Sequence, residues 1–378
     1  MLASNNPLSI LAISLQSELS VQQHLQLCDN MGSQFCSWET LLFLANLHRV
    51  TLLWYLRLQQ NDLACCMPMA LREYLDALLE QNRVRNRNHL AALETCQVAF
   101  GRERLEVILL KGAAALADDL YGDPGVRLMG DIDLLILPSQ QDQVDQILRQ
   151  LGFQVAKVYQ DNRFYLGHHH LPPYHHPEWQ VCVEVHLEIA NFRARTAFPT
   201  ERLFARAHGI PLSATTVKTL QDTDRLLHNA CHTMVNDAGW LYSRCSLHEW
   251  AEWDQLLRRA DSTAVFPELL KHAREGGFAE QLKVYALLGN RLLGSPVPVE
   301  WDDRRAERHV SRFLAGLGWW GTAAKQPAVV RRYYLMHILT HTWHTHRLKR
   351  QDVPLLHFLG YFLKLAARPT NWKRIKPR

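Results

Sequence analysis

LEVILLKGAAALADDLYGDPGVRLMGDIDLLILPS, residues 105–139, decides how this chain reads. LEVILLKG is a short apolar run rich in branched residues and closed by glycine, the pattern of a buried strand. AAALADDLYG then reads as a helix, and GVRLMGDIDLLILPS as a second strand ended by Pro138. Further on, QDQVDQILRQLGF (residues 141–153) is an amphipathic helix, and WQVCVEVHLEIA (residues 179–190) alternates as a third core strand. Strand and helix taking turns in this way imply an α/β layer.

Outward from that layer the text is helical. Apolar residues recur at helical spacing in WETLLFLANLHRVTLLWYLRLQQ and LREYLDALLEQNRVRNRNHLAALETCQVAF ahead of it, and again beyond Pro211 in TDRLLHNACHTMV, SLHEWAEWDQLLRRA, FAEQLKVYALLGNRLL and VVRRYYLMHILTHTW. Gln154 to Pro177 is irregular and His-rich, and the first thirty or so residues are weakly patterned and expected to be loosely ordered. No repeat recurs at a fixed period. Three segments follow: an N-terminal helical region (1–100), an α/β core (101–205) and a C-terminal helical domain with a basic tail (206–378).

The 378 residues, 47% hydrophobic and 21% charged, are close to the globular average, which excludes wholesale disorder and coiled-coil rods. The net charge of +5 suits an anionic substrate without demanding a nucleic acid. Eight cysteines with no C-x-x-C pair argue against a disulfide framework or a Cys-rich zinc site. No uninterrupted apolar run approaches the ~18 residues of a membrane span, so a cytoplasmic location and no transmembrane segment are expected. From His341 to Arg378, nine Lys or Arg stand against one acid, Asp352. Solvated charge is the default for such a tail, and contact with an anionic membrane surface or with RNA phosphates are the two alternatives.

In GDIDLLIL, Asp131 and Asp133 are two apart on a strand, so both carboxylates leave one face while Ile132 takes the other. Taken alone, D-x-D is most often a solvent-facing pair. Here the pair follows Lys111-Gly112 and a helix start, where glycine permits close approach of backbone to phosphate and the first helical N–H groups favour an anion. Like charges this close call for a cation between them, and hard oxygen ligands suit Mg²⁺, with Mn²⁺ as a substitute. In VCVEVHLEI, Glu184 shares a face with Cys182 and His186 while the valines face inward, so one more carboxylate can complete a metal site. Arg127 offers a planar fork for a polyphosphate, or is an ordinary loop arginine. His186, beside Glu184, is placed either to orient the acid, touch a phosphate or move a proton, or simply to pack.

With these residues quoted, LLKGAAALADDLYGDPGVRLMGDIDLLI and the later VEVHLEI resemble the uncharacterised bacterial nucleotidyltransferases of the DNA polymerase β-like superfamily, whose members read L-K-G, a tyrosine, R-x-x-x-D-h-D-h and then h-E-h-H. WETLLFLANLHRVTLLWYL resembles the N-terminal region of that family, so the likeness covers roughly residues 35 to 260. It implies an α+β fold, predominantly helical overall, with a small mixed sheet and helices packed on one side. It also implies transfer of a nucleoside monophosphate from an NTP, ATP by prevalence alone, to a hydroxyl or similar acceptor, either a small molecule or a macromolecule such as tRNA or protein. Asp131 and Asp133 would then bind the metals that bridge the triphosphate, and Glu184 would be the third acid, placed to activate the acceptor. Lys111-Gly112 stands where many superfamily members carry Gly-Ser or Gly-Gly nearer the acids, which assigns Lys111 to the γ-phosphate as a hypothesis. The alternative is a catalytically inactive nucleotide-binding or partner-binding protein that keeps the fold.

Twenty histidines, with HHHLPPYHH at 168–176 and the i, i+4 pairs His228/His232 and His337/His341, invite a zinc reading. No third ligand completes a recognisable motif, so surface or packing roles are expected. Trp250, Trp253, Trp319 and Trp320 are expected to pack rather than to stack on bases.

Overall fold

The computed structural model describes residues 6–323 apart from 35, 156–168, 191, 238, 244–245 and 261. The basic tail, His168 and the His337/His341 pair lie outside the described residues, as do the side chains of Trp319 and Trp320. The chain divides after Arg312 into two units, and the sheet and every helix that ends before that residue belong to the first.

Helices α1 (Pro7–Ser14), α2 (Val21–Gly32), α3 (Trp38–Leu47), α4 (Thr51–Gln60) and α5 (Met69–Arg102) precede the sheet. The expectation of a loose N-terminus is corrected by α1. Its first N–H groups are capped by Asn6, whose Oδ1 accepts from Leu8 N at 2.9 Å, and Leu8, Leu11 and Ala12 are buried. Because α1 is apolar nearly all round, it carries no amphipathic period for the sequence to display. α5 buries a stripe at Leu75, Leu79, Asn82, Asn86, His89, Leu93, Cys96 and Phe100, the three-and-four spacing of one helical face.

Next come β1 (Val107–Leu109), α6 (Lys111–Ala117), β2 (Ile132–Ile136), α7 (Gln141–Gln150), β3 (Gln154–Val155), β4 (Tyr174–His176) and β5 (Val181–His186). α8 (Thr200–Arg206) leads into the hairpin β6 (His208–Leu212) and β7 (Thr215–Thr219). The seven strands form one mixed sheet in the order β3-β4-β5-β2-β1-β7-β6, in which β2/β5 and β1/β7 are parallel and the other pairs antiparallel. Two differences from the sequence reading emerge. The His-rich stretch supplies the short strands β3 and β4, and the sheet runs past residue 205 because β7 pairs with β1.

One face of the sheet is the core. Ile132, Leu134 and Ile136 of β2 and Val181, Val183 and Val185 of β5 pack with Ala92, Leu93, Cys96 and Phe100 of α5 and Val144, Ile147 and Leu148 of α7. The alternate residues of β2 and β5, Asp133 and Glu184 among them, leave by the opposite face.

After the sheet, α9 (Asp222–Cys231) runs into one π-helical turn (His232–Asn236), followed by α10 (Gly239–Tyr242), α11 (Leu247–Arg259), α12 (Ser262–Glu275), α13 (Ala279–Leu293) and α14 (Arg304–Ala323). Trp250 and Trp253 are fully buried against Tyr285 of α13, so they are packing residues. No helix among the described residues is long and apolar enough to cross a membrane.

Candidate active site

The parallel pairing of β2 and β5 puts Asp133 directly opposite Glu184. Asp133 is buried (3% exposed), and its Oδ1 accepts from Lys111 Nζ at 2.7 Å and from His186 Nε2 at 2.8 Å. Burial would push this carboxyl up, but Lys111 and His186 together hold it well below the usual aspartate range. Ligand atoms of Asp133, Glu184 and His186 all lie within 4.8 Å of one another. Asp131, immediately ahead of β2, is outside that close set, yet its charge is felt there. Burial, then Asp133 and Glu184, push Asp131 up to about 6, and burial followed by Asp133 raises Glu184 as well.

His186 is neutral at ordinary pH, since burial and then the Lys111 ammonium push it down to about 4. Its Nδ1 is buried with no hydrogen-bond partner among the described residues. The described end of the His-rich segment returns to this point: Leu171 N donates to Val185 O, Leu187 N donates to His169 O, and the rings of His169 and His170 sit 5.6 and 5.4 Å from that of His186. His176 is different, stacking on Trp179 at 3.9 Å as a packing residue.

Lys111 follows β1 after a single residue, at φ +46° in the left-handed region, a conformation costing a non-glycine residue on the order of 1 kcal/mol. α6 has only seven residues, so what this turn brings to the centre is the Lys111 side chain on Asp133. Gly112 leaves room for the strand-entry loop: a Cβ there would meet Met129 Sδ at 2.8 Å and Arg127 Nη2 at 3.3 Å. Arg127 pairs with Glu252 of α11, Nη2 to Oε2 at 3.2 Å.

Sequence reading missed Glu252, Asn82 and Asn86. The two asparagines of α5 donate to Arg127 O at 3.0 and 2.7 Å, and also to Gly125 O and Pro124 O. Their signal was present in the sequence, since both interrupt an otherwise largely apolar helical stripe. Glu252 gave none, because only the tertiary fold brings α11 to the loop.

Carboxylates from adjacent parallel strands, with a lysine and an arginine alongside, make the kind of centre that phosphoryl-group transfer uses. Residues 36–294 match the family described as uncharacterised nucleotidyltransferase, and the chain belongs to that family. The match runs from before α3 to the end of α13, so the helices that follow the sheet are part of the family's body. No curated protein matches the chain. The family implies an NTP substrate and a transferase activity.

Proposed function

We propose that this chain is a Mg²⁺-dependent nucleotidyltransferase that moves a nucleoside monophosphate from an NTP, with ATP expected on prevalence, to a hydroxyl or similar group of an acceptor. The observation that carries this reading is the register of Asp133 on Glu184, with Lys111 and His186 converging on Asp133. The donor set fits a hard divalent ion: carboxylate oxygens predominate, and Asp131 and Glu184 are pushed up first by burial and then by the neighbouring acids, a repulsion that such an ion relieves. Asp131, Asp133 and Glu184 would hold it, and bound there it neutralises charge on the triphosphate.

The chain's own residues supply the rest. Lys111 and Arg127 bind phosphoryl oxygens of the donor and keep the α-phosphorus in line with the acceptor. An acceptor oxygen bonds to that phosphorus as the bond to the β-phosphate bridge breaks and pyrophosphate leaves. Glu184, with its side chain 24% exposed, takes the acceptor's proton. His186 donates Nε2–H to Asp133 and fixes the orientation of that carboxylate.

Calorimetric titration of each Mg–NTP into wild type and Asp133→Asn tests the reading. Saturable, Mg²⁺-dependent binding by wild type that weakens about tenfold or more in the variant is expected, the size of losing a charge-assisted contact. Equal binding by the two proteins, or none by wild type, overturns it.

A further inference from the structure

We propose that Glu252 is a positioning residue for the donor site: from α11 it holds the Arg127 guanidinium against Gly112, the neighbour of Lys111, so that the buried Nε–H of Arg127 serves a phosphoryl oxygen of the NTP. This inference rests on the nucleotidyltransferase reading and deepens it.

The first support is an incomplete set of hydrogen bonds. Glu252 is 6% exposed, and its Oε2 lies 3.2 Å from Arg127 Nη2. Nη1 reaches Leu128 O at a long 3.4 Å, and Nε is buried with no partner among the described residues. A guanidinium is a five-donor fork, and leaving one of its N–H groups unpaired in the interior is costly. Burying an ion pair merely to tie α11 to the loop would also be a poor source of stability. A phosphoryl oxygen is the acceptor whose geometry and charge match such a fork.

The second support is placement. Gly112 follows Lys111, the residue whose ammonium rests on Asp133, and a Cβ at Gly112 would lie 3.3 Å from Arg127 Nη2, so glycine gives the guanidinium room against this backbone. Burial opposes the charge of Arg127, while Glu252 first, then Tyr121, Asp133 and Asp131, favour it, so the acids of the centre act on the guanidinium directly.

The third is that the arginine is held from two independent elements. Asn82 and Asn86 of α5 fix its carbonyl, and Asp123, four residues earlier, is gripped by Arg83 of α5. Glu252 fixes the other end of the residue. Its helix is anchored by a capping box between Ser246 and Glu249, and Ser246 Oγ donates to His48 O at 2.9 Å. Backbone clamp and side-chain brace together remove the rotamer freedom that a long arginine would otherwise lose on binding phosphate.

The test uses the full chain. ATP, GTP, CTP and UTP with Mg²⁺ are titrated into wild type, and the tightest is followed by its di- and monophosphate and its nucleoside. The same series is run on Glu252→Gln, Glu252→Asp, Arg127→Ala and the Arg127→Ala/Glu252→Gln double variant, with a urea midpoint for each. Glu252→Gln is expected to weaken the triphosphate about five- to tenfold, the scale of one charge-assisted hydrogen bond, and to leave the nucleoside within about twofold. Glu252→Asp is expected to recover part of the loss, and the double variant to bind no worse than Arg127→Ala alone. Equal losses for triphosphate and nucleoside, an additive double variant, or wild-type affinity in Glu252→Gln overturns the proposal. Should Glu252→Gln fail to fold, Arg127→Lys keeps the charge but removes the fork, and unchanged triphosphate affinity in that variant overturns it equally. Absence of Mg–NTP binding by wild type instead defeats the nucleotidyltransferase reading and this proposal with it, whereas wild-type binding without the predicted pattern removes only the role of Glu252.

Discussion

The loop that carries Arg127 makes a quantitative demand on α5. Asn82 Nδ2 donates to Gly125 O at 2.6 Å and to Arg127 O at 3.0 Å, while Asn86 Nδ2 donates to Pro124 O and to Arg127 O at 2.7 Å. Each asparagine thus owns one carbonyl and shares the third. Asn82→Leu, near-isosteric and 5% exposed in the parent residue, removes two hydrogen bonds and orphans Gly125 O, for about 2–3 kcal/mol. Asn86→Leu orphans Pro124 O but also deletes an Oδ1 that has no partner among the described residues, which offsets part of the loss and leaves about 1–2 kcal/mol. In either single variant Arg127 O keeps one donor. In the double variant it keeps neither, so the combined loss should exceed the sum of the two by about 1 kcal/mol. Urea denaturation of the four proteins measures this coupling. Additivity to within ~0.3 kcal/mol, the usual result for independent sites, would refute the shared-acceptor geometry.

Two further outcomes follow from burial. Burial pushes His48 down to about 4 and His228 and His248 well below their ordinary 6.5, so the unfolded chain binds more protons between those values. The stability these neutral imidazoles confer is present above pH 6.5 and is lost as pH falls toward 4, with His48 alone worth up to about 3 kcal/mol; a urea midpoint that stays flat from pH 7 to pH 4.5 would contradict this. Leu11 of α1 is fully buried, so Leu11→Ala should cost about 2–5 kcal/mol in the same assay, against near zero for a loosely ordered N-terminus.

What the sequence displayed and what it hid divide along physical lines. β5 and α7 were legible because each shows a period, two for the strand and 3.6 for the half-buried helix, and β1 and β2 because each is a short apolar run, buried throughout and closed by Gly112 or Pro138. α1 hid because a helix buried on all sides has no period, and β3 and β4 because runs of two and three residues are too short to show one. The β6–β7 hairpin hid behind Pro211, which argues against a central strand but is tolerated here because β6 is an edge of the sheet. TTVKT, branched and alternating, was the signal that β7 gave. The acids and His186 were readable because D-x-D and E-x-H place side chains on one face of a strand. Their partners were less so: that Lys111 lies on Asp133, and that Glu252 braces Arg127, are consequences of tertiary packing that no local spacing encodes.

The same alternation explains why the centre needs so little of the chain to specify it. Ile132, Leu134 and Ile136 on β2, and Val181, Val183 and Val185 on β5, must all face α5 and α7, and this leaves Asp133 and Glu184 only the other face. A slip of one residue in either strand would bury an acid among valines and expose a core residue in its place, so the register is fixed by six apolar side chains rather than by the carboxylates themselves. Electrostatics would otherwise work against the arrangement, since the two acids repel across adjacent strands and burial adds to the cost. The apolar face therefore holds together a polar face that would disfavour itself, and Lys111 and His186 balance the one acid, Asp133, that the sheet buries almost completely.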